Sequence, residues 1–243
     1  MATSTQSIRE IVSNQSSAAA VLQRFDIDLC SRADESLQQA CADLQLSIDQ
    51  VVEKLAEAAM KQHGAAAVDV ASYSQSRLIL HIVRTHHQYV RCELPRLLEV
   101  AQKLAGKHGD RAPELKKVEC LAGALRDEMF AHLEKEEQVL FPYISHMEEA
   151  VAGFASPERA CFQTVAQPIS MMVLEHESAK GLVAEMRKVT NEFKAPAWAC
   201  PTHLVLYAGL QQFEHDLRQH VHLENDILFP RAIEMESTLN QRS

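Results

Sequence analysis

Residues 132–142 read His-Leu-Glu-Lys-Glu-Glu-Gln-Val-Leu-Phe-Pro, and residues 220–230 read His-Val-His-Leu-Glu-Asn-Asp-Ile-Leu-Phe-Pro. Both stretches fit the pattern H-x-x-x-E-x-x-[VI]-L-F-P, and the second begins 88 residues after the first. An internal repeat of this length corresponds to one helical hairpin. Two such hairpins predict a four-helix bundle with approximate two-fold symmetry.

The composition of the whole chain agrees with a helical protein. Only 7 of its 243 residues are glycine, and 47% are hydrophobic, which excludes a disordered or low-complexity chain. Alanine, leucine, glutamate, glutamine and lysine, which favour helices, dominate the sequence, and strand-like alternation is nearly absent. We therefore expect an all-α fold, a four-helix up-down bundle preceded by a small helical N-terminal domain.

Clusters of helix-breaking residues indicate where the two domains meet. Short helical patterns occur within residues 1–63, among them 18–25 and 36–60, and a soft linker follows near 64–72. Residues 1–63 are therefore predicted to form the small domain, which bears Cys30. Residues 73–240 contain the repeat and are predicted to form the bundle.

The charge and the apolar runs exclude several classes of partner. The chain has 24 Lys and Arg against 33 Asp and Glu, a formal net charge of −9, which argues against nucleic acid or an anionic membrane. No apolar run approaches the roughly 20 residues of a membrane span, and the first residues lack a signal-peptide pattern. The six cysteines are scattered without a C-x-x-C pair, so we expect reduced thiols in the cytoplasm.

Each predicted helix of the bundle has an apolar stripe with alternating three- and four-residue steps. Each stripe contains one histidine, and the four histidines are separated by 45, 44 and 44 residues. In chain order the stripes are Leu80, Val83, His87, Val90, Leu94, Leu97, Ala101 and Leu104; Val118, Leu121, Leu125, Glu128, His132, Glu136, Val139 and Tyr143; Ile169, Met172, His176, Ala179, Val183 and Met186; and Leu206, Leu210, Phe213, Leu217, His220, Glu224 and Ile227.

Two of these histidines have a glutamate four residues later, on the same helix face. Turned inward, the stripes place two carboxylates and four imidazoles in an apolar core, where a bare carboxylate is very costly. One dinuclear metal centre satisfies all six groups, with two imidazoles on each metal and both carboxylates bridging. The candidate ligands are His87, His132, Glu136, His176, His220 and Glu224. Iron, manganese and zinc all suit such ligands, and the open bridged arrangement favours iron.

Some residues near the ligands are weaker candidates. His86 and His222 lie beside ligands, and Glu128 lies one turn before His132, so each could hydrogen-bond to a ligand. Apart from Glu136, the acidic run 134–137 is expected to be a solvated face. Cys30 is a candidate reactive thiol. No catalytic residue is assigned.

The histidine and glutamate arrangement resembles hemerythrin-like domains. It is most similar to the di-iron proteins of the Repair of Iron Centres family, which repair iron–sulfur clusters under nitric oxide and oxidative stress. The matching segments are 82–95, 132–142, 175–177 and 220–230. Residues 18–30 are similar to the small N-terminal domain of that family. The family usually has two adjacent cysteines followed by glycines, whereas this chain has Cys30-Ser-Arg-Ala and therefore lacks the second thiol of that pair.

The resemblance implies a cytoplasmic protein with two iron ions joined by an oxo or hydroxo bridge, in preference to manganese or zinc. Implied partners are damaged iron–sulfur proteins or nitric oxide, with no nucleic acid and no membrane, and the protein is a monomer or a homodimer. Three functions stay open: repair by iron supply, reversible binding of O2 or nitric oxide as a sensor or carrier, and reduction of nitric oxide. Whether the protein is an enzyme therefore stays open too.

Overall fold

The structure, a computed structural model, describes residues 5–14, 18–27, 29, 32, 34–63, 70–156 and 162–242. The described residues are mostly helical, and the only strand-like pairing among them is an isolated bridge between Ser7 and Ser36. The all-α prediction is confirmed. No helix in the described part of the chain combines the length and apolar character needed to cross a membrane.

The chain divides into two compact units. One comprises Met1–Val68 with Thr190–Gln211, and the other comprises Asp69–Val189 with Gln212–Ser243. The division into domains 1–63 and 73–240 stays a prediction, because compact units in one structure are not a test of independent folding.

The first unit contains four helices: α1 (Ile8–Asn14), α2 (Ala18–Arg24), α3 (Leu37–Asp43) and α4 (Ile48–His63). A reciprocal cap begins α1, because the Ser7 hydroxyl accepts from the Glu10 N–H while the Glu10 carboxylate accepts from the Ser7 N–H. One apolar cluster joins the four helices, with Leu22, Leu37 and Leu55 at its centre, and Val205 from residues 190–211 packs into it.

The second unit contains the helices α5 (Gln75–Ile82), α6 (Gln88–His108), α7 (Glu114–Lys135), α8 (Phe141–Val151), α9 (Ala166–Val189), α10 (Pro201–His222, whose first half lies in the first unit) and α11 (Phe229–Arg242). Three π-helical turns join six of these helices in pairs. Val83–His87 joins α5 to α6, Glu136–Leu140 joins α7 to α8, and Leu223–Leu228 joins α10 to α11. The result is three long helices over 75–108, 114–151 and 201–242. Together with α9 they are the four predicted helices of the bundle.

The π turns are visible in the backbone hydrogen bonds. The N–H groups of Gln88, Phe141 and Phe229 each donate to the carbonyl five residues earlier. Each such turn fits one extra residue into the helix, and one residue rotates the following side chains by about 100°. A stripe read at constant helical period therefore goes out of register at each π turn.

Because of this change of register, the predicted burial is wrong at some positions of the stripes. Leu80 and Val139 were expected to be buried but are 47% and 45% exposed. Within and after the second π turn, the buried positions are Leu140 and Ile144, in place of Val139 and Tyr143. The stripe of α9, which has no π turn, is buried at all six predicted positions.

The repeat extends beyond the Leu-Phe-Pro segments into two glutamates that cap helices. Glu148 on α8 accepts hydrogen bonds from the N–H groups of Gln75 (2.7 Å) and Ser76 (3.0 Å) at the start of α5. Glu236 on α11, 88 residues later, accepts from the N–H of Val165 (2.7 Å) at the start of α9. Each carboxylate satisfies amide groups that the first turn of a helix leaves unpaired, and its charge complements the helix dipole.

We expect Glu148→Ala to lower the free energy of unfolding by about 1–2 kcal/mol, because the start of α5 loses its acceptor. Urea unfolding in the presence of a chelator measures the change. The exposed neighbour Glu149 is the matched control, and Glu149→Ala should stay within about 0.5 kcal/mol of the wild type. Equal losses in the two variants would contradict the capping role.

Candidate metal centre

The six candidate ligands all face the interior of the bundle, and none is more than 2% exposed. His87 is the last residue of the first π turn, and His176 lies in the middle of α9. His132 and His220 lie near the ends of α7 and α10, and their glutamates, Glu136 and Glu224, fall in the next π turns. Functional sites commonly occur at such π turns.

The ligand atoms form two groups fit for a metal ion. In each group the atoms that could bind an ion lie within 4.8 Å of one another, and both carboxylates belong to both groups. The groups are His87, Glu136, His220 and Glu224, and His132, Glu136, His176 and Glu224. The structure thus brings together all six residues that the stripes had selected.

Within each group the imidazoles face each other through Nε2. The Nε2 atoms of His87 and His220 are 3.1 Å apart, and those of His132 and His176 are 3.0 Å apart. The opposite ring atom, Nδ1, donates to an acceptor outside the group in three of the four rings: from His87 to Glu137 (2.7 Å), from His132 to Glu175 (2.9 Å) and from His176 to Asn225 (2.9 Å). A proton on Nδ1 leaves the Nε2 lone pair directed into the site.

The acceptors on the outer side were missed by the sequence reasoning. Glu137 belongs to the acidic run expected to be solvated, but it accepts from His87 and pairs with Arg91 (3.2 Å). Glu175 likewise pairs with Lys135. The available signal was their position, since Glu137 directly follows a ligand and Glu175 directly precedes one.

The weaker candidates are placed differently. His86 is 4% exposed, and its ring stacks on that of His220. Glu128 and His222 are exposed and bond elsewhere, Glu128 to the Ser178 hydroxyl (2.8 Å) and His222 to Asp226 (2.7 Å). Cys30 lies outside the described residues.

The phenylalanines of the repeated Leu-Phe-Pro segments form walls of the site. Phe141 stacks on His87 with ring centroids 5.6 Å apart, and Phe229 stacks on His176 at 6.2 Å. Both phenylalanines are 2% exposed. They limit contact between water and the polar groups, and they restrict the rotation of the imidazoles.

The electrostatics of the metal-free site show a competition between burial and charge. Burial lowers the pKa of His132, but the carboxylates of Glu136, Glu224 and Glu175 together outweigh it and raise the pKa to about 9. Burial also raises the pKa of Glu224, yet the charge of His220 and the hydrogen bonds of neighbouring imidazoles hold that pKa well below its usual range. For His220 burial prevails and lowers the pKa.

The metal-free protein is therefore expected to lose stability between pH 6.5 and about 9. A histidine whose pKa is raised on folding contributes stability that is complete below its unfolded pKa of about 6.5 and is lost as the pH passes the folded value. The shift of His132 to about 9 corresponds to roughly 3 kcal/mol. Urea unfolding of the chelated protein at pH 6.5, 8 and 9.5 measures this loss, and a stability that rises over this range would contradict it.

The donor set fits cations. Both carboxylate oxygens of Glu136 and Oε2 of Glu224 are buried and make no well-directed hydrogen bond within the described residues. Their nearest imidazole nitrogens are Nε2 of His132, 3.3 Å from Oε2 of Glu136, and Nε2 of His176, 3.1 Å from Oε2 of Glu224. A buried carboxylate without such hydrogen bonds is costly unless a positive charge compensates it, and facing imidazole lone pairs repel without a proton or metal between them. Two cations bound by imidazoles and carboxylates would relieve both penalties.

Comparison with known proteins agrees with this geometry. Residues 78–232 match the hemerythrin HHE cation binding domain. The chain is 31% identical over 233 residues to the iron–sulfur cluster repair protein YtfE of Enterobacter sp. (strain 638), covering 96% of this chain and 99% of the relative. It is 30% identical over 239 residues to a probable iron–sulfur cluster repair protein of Haemophilus influenzae, with the same coverage. The chain belongs to the hemerythrin-domain family of iron–sulfur cluster repair proteins.

Membership in this repair family confirms the resemblance that the sequence analysis described. The matched hemerythrin segment begins at Leu78 in α5 and ends at Ala232 in α11. It therefore contains all six inward-facing residues and the three π turns. A cation-binding domain is thus present where the structure brings the imidazoles and carboxylates together.

Proposed function

We propose that this protein is a non-heme di-iron protein that repairs damaged iron–sulfur centres during nitrosative and oxidative stress. It acts by supplying iron to them, by binding nitric oxide, or by both. The observation that carries the proposal is the pair of ligand groups that have both carboxylates in common inside one bundle. The repair function named for relatives over nearly the whole chain supports it.

The two ligand groups suggest how the iron ions are divided. His87 and His220 would hold one ion, and His132 and His176 would hold the other. Glu136 and Glu224 would be available to both ions. Bound iron supplies Lewis acidity and an exchangeable small-molecule site, because four protein ligands per ion leave coordination positions open.

The protein keeps these ligands ready for metal. The acceptors at Nδ1 hold three imidazoles with Nε2 turned inward, so little rotamer freedom is lost when a metal binds. The two carboxylates offset two of the positive charges that two iron ions bring into the core. Phe141 and Phe229 exclude water, which strengthens the attraction between these charges.

We also propose a location, a domain organisation and partners for the protein. The protein acts in the cytoplasm, where scattered cysteines stay reduced. Residues 73–240 form the di-iron domain, and residues 1–63 form a small domain in which Cys30 serves as a single thiol. As a monomer or a homodimer, the protein takes damaged iron–sulfur proteins and nitric oxide as its partners.

Iron transfer to a defined acceptor tests this function. The iron-loaded protein is incubated anaerobically with an iron–sulfur enzyme whose cluster has been removed, together with sulfide and thiol, and the recovered enzyme activity is measured. We expect recovery above that from an equal amount of ferrous salt. Glu224→Ala should abolish the gain, whereas His215→Ala, on an exposed position of the same helix, should retain it.

Two other results would replace the proposal. Reversible nitric oxide binding without any recovery of the acceptor enzyme would identify a sensor or carrier. Release of N2O over repeated turnovers, again without recovery, would identify a nitric oxide reductase.

A further inference from the structure

His220 differs from the other three imidazoles on its outer side. The Nδ1 atoms of His87, His132 and His176 each bond to an acceptor from a neighbouring helix. Nδ1 of His220 is buried and has no hydrogen-bond partner among the residues that the structure describes. The two ligand groups are therefore unequal, although the sequence repeat makes their inner sides alike.

The repeat explains how this difference arises. In one half of the bundle Glu175 directly precedes the ligand His176, and it accepts from His132. In the other half the residue before the ligand His87 is His86. His86 therefore occupies, beside His220, the position that Glu175 occupies beside His132. A carboxylate acceptor in one half of the bundle corresponds to an imidazole in the other half.

The orientation of His86 prevents it from taking over the missing role. Its ring lies parallel to that of His220, with centroids 5.6 Å apart and planes at 4°. An N–H bond lies in the plane of its own ring, so a ring stacked parallel above or below that plane cannot accept from it, and Nδ1 of His220 makes no hydrogen bond to His86. A hydrogen bond of 2.9 Å from Nδ1 of His86 to Asp216 holds this orientation. Asp216 lies one turn before His220, and its other carboxylate oxygen, Oδ2, is also buried without a hydrogen-bond partner within the described residues. Neither oxygen of Asp216 therefore bonds to Nδ1 of His220.

We propose that the two metal positions hold their ions unequally, and that the ion at His87 and His220 leaves first. An acceptor at the outer nitrogen orients a ligating imidazole and increases its basicity, and removal of such a partner typically lowers metal affinity about 10- to 100-fold. The inference rests on the proposed di-iron function. It identifies the position from which iron is supplied, while the ion at His132 and His176 stays bound longer.

Release of iron to a chelator tests the order. The full-length chain is loaded anaerobically with two ferrous ions and mixed with an excess of a colorimetric iron(II) chelator. We expect two phases of one ion each, with rates that differ about 10- to 100-fold. His220→Ala should remove the fast phase, and His132→Ala should remove the slow phase. His215→Ala is the control for loss of an exposed histidine, and it should release iron as the wild type does. Departure of both ions in a single phase would overturn the proposal.

Comparison of the two repeats also suggests variants that should change the rates of iron release without removing a metal ligand. His86→Glu combined with Asp216→Asn copies the position of Glu175 into the other half and avoids two adjacent carboxylates. We expect this graft to slow the fast phase. Glu175→Ala should accelerate the slow phase. The control is Glu185, a partly exposed glutamate on the same helix that pairs with Lys188, and Glu185→Ala should leave the slow phase unchanged. A folded graft variant with an unchanged fast phase would overturn the proposal.

If the graft variant does not fold, Glu175→Ala still tests the inference. An unchanged rate of the slow phase in Glu175→Ala would overturn it. The result is also separable from the proposed function. Unequal release without recovery of the acceptor enzyme supports the inference and rejects repair. Recovery with both ions leaving at one rate supports repair and rejects the inference.

Discussion

Replacing Glu136 with alanine is expected to reduce the bound iron from two ions per chain to less than one. Glu136 belongs to both ligand groups, and both of its carboxylate oxygens are buried without a hydrogen-bond partner in the described part of the chain. Its removal therefore takes one ligand from each metal position, together with a negative charge that the two positions share. Iron content after reconstitution and the near-ultraviolet absorption of the loaded protein measure the effect.

The histidine variants distinguish a bridging ligand from one that serves a single position. His87 belongs to one group and His132 to the other, so each alanine variant should keep about one ion. Glu224→Ala should behave like Glu136→Ala. The exposed Glu134, two residues before Glu136, is the control, and Glu134→Ala should keep two ions. Full iron content and an unaltered spectrum in Glu136→Ala would contradict the ligand assignment.

Removal of the bound iron is expected to lower the unfolding temperature of the protein substantially. A ligand that binds only the folded state stabilises it by about 4.1 kcal/mol when its free concentration is 1,000 times its dissociation constant. For a chain of this size, that corresponds to a fall in Tm of roughly 8–16 °C for each ion removed. The metal-free protein also keeps two buried carboxylates among imidazoles, which adds to the loss.

Calorimetry of the iron-loaded and the chelated protein measures this difference. The Glu136→Ala variant is the control, because added iron should leave its Tm almost unchanged. If complete chelation left the unfolding temperature of the wild type where it was, the six residues would not be holding metal in the folded state.

The sequence alone was sufficient for the four long helices of the bundle and for the choice of the six inward-facing residues. Its evidence was local and repeated: a histidine and a glutamate four residues apart lie on one helix face, and the pair occurs twice. On α9, where the backbone keeps a constant period, the whole predicted stripe is buried.

The tertiary structure decided the register, the supports and the asymmetry. A π turn is a backbone event that a side-chain pattern of period 3.6 does not encode, so Leu80 and Val139 were wrongly expected in the core. Glu175 and His132 are 43 residues apart in the chain, and only the packing of α7 against α9 brings them within hydrogen-bond distance. His86 and His220 meet in the same way. Local periodicity thus selects which side chains turn inward, whereas contacts between distant helices determine how firmly each one is held.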